Sequence, residues 1–126
     1  MMRLPTTKIM TCLAILTATL LPVHASADSF GALAYSPATG STGWSHSHTA
    51  RRAAERTALD GCAQYADDCR VAIWFKNACG ALAAGPNGWG SGWGDDRARA
   101  EYEAMKVCSR NTRGCRTIRW QCSGAR

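Results

Sequence analysis

Gly31-Ala32-Leu33-Ala34 and Gly80-Ala81-Leu82-Ala83 are the same four residues written twice, 49 positions apart. At that offset Pro37 meets Pro86 and Gly43-Trp44 meets Gly92-Trp93. Further along, Arg51, Ala54-Glu55, Ala58, Cys62, Cys69-Arg70 and Trp74 match Arg97, Ala100-Glu101, Ala104, Cys108, Cys115-Arg116 and Trp120, now at an offset of 46. Two runs of matches at fixed offsets, both including rare residue types, identify an internal duplication. The change of offset places a three-residue insertion in the first copy, within Ser45 to Ala50 and opposite Gly94 to Asp96.

Each copy reads locally as ββαβ. Gly31 to Tyr35 and Thr42 to Ser45 flank Pro37-Ala38-Thr39-Gly40, and Ala81 to Ala84 and Gly90 to Trp93 flank Pro86-Asn87-Gly88. Short strands around Gly/Pro turns are hairpins. Ala50, Ala53, Ala54, Ala58, Leu59 and Cys62 fall at steps of three and four, predicting a helix over about 50–63 with Thr49 placed to cap it. A second helix is expected over about 97–109, behind the N-terminal carboxylates of Asp95-Asp96 and with Ala98, Tyr102 and Met105 on one side. Arg70 to Phe75 and Arg116 to Gln121 supply the last strands. The first of these is apolar on both faces, which predicts a central, covered position, or else a docking surface formed by Val71, Ile73 and Phe75. The second carries Thr117, Arg119 and Gln121 on one face and reads as half exposed or at an edge. The expected fold is α+β: two tandem ββαβ repeats, about 30–76 and 79–122, forming antiparallel sheet with two helices.

The start of the chain sets the compartment. Arg3 and Lys8 precede the apolar run Ile9 to Val23, and Ala25-Ser26-Ala27 follows. A basic n-region, an apolar h-region and an A-x-A site form a secretion signal, so residues 1–27 are expected to be removed. What remains, 28–126, is one domain's worth of chain, secreted or periplasmic, with no membrane span after cleavage. Taking Arg3 and Lys8 from the 15 bases leaves 13 against 9 acids, a balance of +4. That is mild, and the acids Glu55, Asp60, Glu101 and Glu103 are mixed among the arginines, so no firm nucleic-acid signal is present.

Cys12 leaves with the signal, and six cysteines remain: Cys62, Cys69, Cys79, Cys108, Cys115 and Cys122. An even count in a small exported domain reads as a disulfide framework. A zinc site is the weaker reading, because Cys-x6-Cys lacks the close pairs of structural zinc. Cys62 with Cys69 and Cys108 with Cys115 are equivalent in the repeat, which leaves Cys79 with Cys122.

The stretches Phe30 to Pro37, Gly43-Trp44-Ser45, Cys69 to Phe75, Asn77 to Ala83 and Gly92-Trp93-Gly94 resemble the bacterial family catalogued as domain of unknown function 4189. The likeness covers nearly the whole mature chain. It implies an exported bacterial protein with a duplicated, disulfide-bearing fold, and it carries over no catalytic residue. Ser45-His46-Ser47-His48 departs from the shorter or aromatic loop expected after Gly-Trp.

Function is sought in what the repeat leaves unexplained. Trp44, Trp74, Trp93 and Trp120 are paired by the duplication and are expected in the core, whereas Trp89 aligns with Gly40 and has no counterpart. Its first reading is as cover for its own domain, and it is also a candidate to stack on a sugar or anchor a protein. His46 and His48 lie in the insertion, where two imidazoles are too few for a metal site on their own. Arg113, Arg116 and Arg119, with Arg110, form a C-terminal basic cluster that suits an acidic partner. No cofactor and no metal is implied. The sequence favours a non-enzymatic binding module for another exported protein or an envelope polymer. The alternative is a small hydrolase or metal-dependent enzyme using His46 and His48.

Overall fold

The computed structural model describes residues 2–5, 14–21 and 27–124. Lys8, Cys12 and Ala25-Ser26 of the expected signal lie outside the described residues. Among the described residues no helix is long and apolar enough to cross a membrane.

The elements run β1 (Phe30–Tyr35), β2 (Thr42–His48), α1 (Arg51–Ala63), β3 (Arg70–Lys76), β4 (Cys79–Gly85), β5 (Gly88–Gly94), α2 (Arg97–Asn111) and β6 (Arg116–Cys122). This is the ββαβ order twice. The strands do not join into one sheet: β2-β1-β3 form one antiparallel three-stranded sheet and β5-β4-β6 another. Each helix packs on one face of its own sheet, and the other faces of the two sheets meet. The result is four layers, α/β/β/α, with one half of the duplication on each side.

The helix–sheet layers are held by small residues. Ala54, Ala58 and Cys62 of α1 lie on Ala32 and Ala34, and Ala100, Ala104 and Cys108 of α2 lie on Ala81 and Ala83, all of them fully buried. A β-carbon at Gly43 would overlap the backbone of Ala58 and Cys62, and one at Gly92 would overlap Ala104. The helices sit so close to their sheets that glycine must lie beneath them. This spacing also decides what α2 buries: of the side bearing Ala98, Tyr102 and Met105, the first two point to solvent and only Met105 packs partly inward. A tyrosine ring does not fit over a glycine-floored contact.

Other local expectations shift for identifiable reasons. The N-cap of α1 is Ala50, without a side-chain cap, so Thr49 stands one position too early to serve. Asp96 does cap α2, accepting from the Arg99 N–H at 2.8 Å. The insertion is not a loop. It lengthens β2 to His48 through a bulge at which Ser47 takes φ 59°, and the Ser45 hydroxyl accepts from Ala32 N–H and donates to Ala54 C=O.

Strand β3 is not central; it is an edge strand, as β6 is. Its apolar inner face is covered by the opposite sheet instead of by flanking strands. Phe75 is 2% exposed, and its ring fills the space left by Gly31 on β1 and Gly80 on β4. Around it Leu33, Tyr35, Ala78 and Leu82 complete the inter-sheet core. At 2% exposure Phe75 is a core residue that offers almost no area of its own to a docking partner.

Three disulfides join Cys62 to Cys69, Cys108 to Cys115 and Cys79 to Cys122. The first two tie a helix end to the following strand. The third links directly opposed residues of β4 and β6.

Candidate functional site

Alternation along β5 sets the site. Gly90, Gly92 and Gly94 face α2, so Trp89, Ser91 and Trp93 face the first sheet. In β2 the same alternation turns Gly43 to α1 and Trp44 toward the second sheet. Of the four paired tryptophans, only Trp120 is partly buried against a helix–sheet core; the other three are not core residues. Trp44 is 46% exposed, Trp74 is 37% exposed and Trp93 is 59% exposed, which corrects the expectation drawn from their pairing. Glycine under the helices forces Trp44 and Trp93 to the sheet margins.

Most of these surface indoles are covered by arginine. Arg51 lies over Trp74 at 4.3 Å and Arg97 over Trp120 at 4.2 Å from the ring centroid. Arg51 also pairs with Glu55, and Arg97 Nε pairs with Glu101 Oε1 at 2.7 Å. All six residues belong to the repeat's matched set. Their matching therefore records an Arg–Trp stack braced by a carboxylate, once per copy.

The third stack crosses between halves. Arg119 of β6 places its guanidinium 4.2 Å from the Trp44 centroid, and its Nε donates to Thr42 Oγ1 at 3.2 Å. Arg119 thus leaves the basic cluster expected from sequence. Arg110, Arg113 and Arg116 remain exposed, the first two beside the hairpin tip at Pro86-Asn87. In the first half, the residue equivalent to Arg119 is Ile73, and Trp93 of the second half stands between two open grooves. One is floored by Ile73 and Phe75 beside Ala72 and Ser91. The other runs from Ile73 past Trp93 to Asp95, Arg99 and Glu103. The Lys106 ammonium, 3.1 Å from Glu103, holds that carboxyl below its ordinary range, and Arg99 at 2.8 Å adds to the effect.

Trp89 is half buried. Its ring meets Tyr35 at 5.3 Å between centroids, and its C=O accepts from Asn111 Nδ2 at 2.8 Å. It closes one end of the inter-sheet core while bordering a groove with Pro37, Asn87 and Asn111. His46 is exposed on β2, its Nδ1 2.9 Å from Ser47 Oγ, and His48 pairs across the ladder with Phe30. Among the described residues no three His, Cys, Asp or Glu side chains converge on a point that could hold a metal ion. The structure does not bring Trp89, the histidines and the arginines together into one site.

Sequence reasoning missed Trp93 because repeat pairing was read as burial. The available signal was the Ile73/Arg119 difference at equivalent strand positions.

The fold defines a class: a duplicated, disulfide-bonded α/β/β/α sandwich with aromatic residues at the margins between its two sheets. Residues 30–122 match the family described as Domain of unknown function (DUF4189), and the chain belongs to it. Protein Rv1269c of Mycobacterium tuberculosis and Protein Mb1300c of Mycobacterium bovis are each 42% identical over 80 residues, which is 64% of this chain and 61% of theirs. The chain thus matches about three-fifths of the length of these relatives. No solved structure matches it.

Proposed function

We propose that this protein is exported, loses residues 1–27, and works outside the cytoplasm as a non-enzymatic binding module whose contact surface is the sheet margin around Trp93. The observation that carries this reading is Trp93 itself, 59% exposed between two grooves with no cation on its ring among the described residues, while the equivalent Trp44 carries the Arg119 guanidinium. Exposed tryptophan is unfavourable in water and contributes strongly when a partner covers it. Six cysteines joined in three bridges suit an oxidising compartment. The partner class is another exported protein or an envelope polymer. His46 and His48 are outside the contact surface in this reading.

The test is capture from envelope and culture fractions on immobilised protein, comparing Trp93→Ala, Trp89→Ala and His46→Ala/His48→Ala with the parent. Loss of capture in Trp93→Ala alone is expected. Retention by Trp93→Ala with loss in the double histidine variant would transfer the function to the β2 extension.

A further inference from the structure

Of the five tryptophans, three carry a guanidinium on the ring at 4.2–4.3 Å, from Arg51, Arg97 and Arg119. Trp89 is turned onto Tyr35. Trp93 is the most exposed of the five, and no cation stacks on it among the described residues. The reason is one position in the repeat. Where β6 presents Arg119 to Trp44, β3 presents Ile73, whose side chain lines the Trp93 groove and brings no charge.

The groove supplies a negative group as well as a π face. Asp95 lines it, is exposed, and forms no ion pair among the described residues, whereas neighbouring Glu103 is already held by Arg99 and Lys106. Resting on the reading of this margin as the contact surface, we infer that Trp93 and Asp95 form a pocket for an arginine side chain of a partner protein. That side chain takes the place Arg119 holds on Trp44. Guanidinium is favoured over ammonium because it is planar, weakly hydrated and stacks on an indole while still hydrogen-bonding a carboxylate. A sugar ring also stacks on tryptophan, but it leaves the Asp95 charge uncompensated and has no counterpart in the three internal stacks. The excess of bases on the chain opposes long-range attraction of a cation, so recognition is decided at short range.

The experiment follows the five indole N–H resonances of the full, disulfide-intact protein by NMR, with the Trp93 signal assigned by its loss in Trp93→Phe. The probes are acetyl-Gly-Arg-Gly-amide, the same peptide with citrulline for arginine, and a chito-oligosaccharide. The arginine peptide should move the Trp93 signal saturably, and the neutral isostere should bind about fivefold more weakly or less. Asp95→Asn should weaken the arginine peptide about two- to fivefold. Ile73→Arg, which copies the Trp44 arrangement, should abolish the response while the other four indoles keep their dispersed positions. Equal response to citrulline, or a Trp93 signal that arginine leaves unmoved, overturns the inference. Movement by the oligosaccharide alone overturns it too, yet leaves Trp93 as the contact residue. Retained capture by Trp93→Ala overturns both readings.

Discussion

The two short bridges are equivalent by duplication and the long one is not, which allows a differential test of what the disulfides do. Cys62–Cys69 and Cys108–Cys115 each span a separation of 7 residues, and Cys79–Cys122 spans 43. If a bridge acts by restricting the unfolded chain, its effect grows with the logarithm of the loop: about 2.3 kcal/mol for each short bridge and about 4 kcal/mol for the long one. Paired Cys→Ala variants remove one bridge at a time without leaving a thiol. Cys79 and Cys122 are directly opposed on β4 and β6, and both are buried, so alanines there preserve the ladder. At roughly 4–8 °C per kcal/mol for a domain of this size, Cys79→Ala/Cys122→Ala should lower Tm by about 16–32 °C and each short-bridge pair by about 9–18 °C. Scanning calorimetry without reductant reads all three. A long-bridge variant no less stable than either short-bridge variant would refute the unfolded-chain account. A gap above about 1 kcal/mol between the two short ones would show that native packing around Cys62 and Cys108, rather than loop length, sets the effect.

Phe75→Ala empties the space between Gly31 and Gly80 and should destabilise by about 3–5 kcal/mol, read as a lower urea midpoint at unchanged slope; a loss below about 1 kcal/mol would mean the sheets close over the gap. Arg119→Ala uncovers Trp44 and should give the arginine peptide a second responsive indole, whereas a single responsive signal would show that Asp95, not the open ring, is the main determinant. Acid should weaken the fold. The Ser36 hydroxyl and the Ala38 N–H hold Asp68 below its ordinary 3.8, Asn77 and Lys76 hold Asp28 below the same value, and Lys106 holds Glu103 below 4.5. With lowered native pKa values the unfolded chain binds more protons, so this stabilisation is complete above the ordinary values and is lost as pH falls through and below about 4. Ser36→Ala should flatten the fall of Tm with pH in that range, and an unchanged slope would discount the Ser36–Asp68 contact.

Much of the fold was legible because duplication made each half a check on the other. The matched positions Ala54/Ala100, Ala58/Ala104 and Cys62/Cys108 turned out to be the buried stripes of both helices, whereas periodicity along α2 grouped Ala98, Tyr102 and Met105 on a side that is largely exposed. The bridges followed from the same pairing. The site was less legible. Matching says that Trp44 and Trp93 hold equivalent places, but whether that place is core or margin depends on how far each helix stands from its sheet. The glycines fix that distance only once helix and sheet are docked.

By itself, then, the sequence determined the repeat, the ββαβ order, the α+β class and the cysteine partners, because these depend on local pattern and on equivalence along the chain. Tertiary structure decided that the strands form two stacked sheets, that β3 is an edge strand covered from across the sandwich, and that Trp44, Trp74 and Trp93 lie exposed. It also decided that Arg119 reaches Trp44 across the halves while Ile73 leaves Trp93 open. These outcomes belong to contacts between residues far apart in sequence. A local pattern carries no information about which face of one half meets the other.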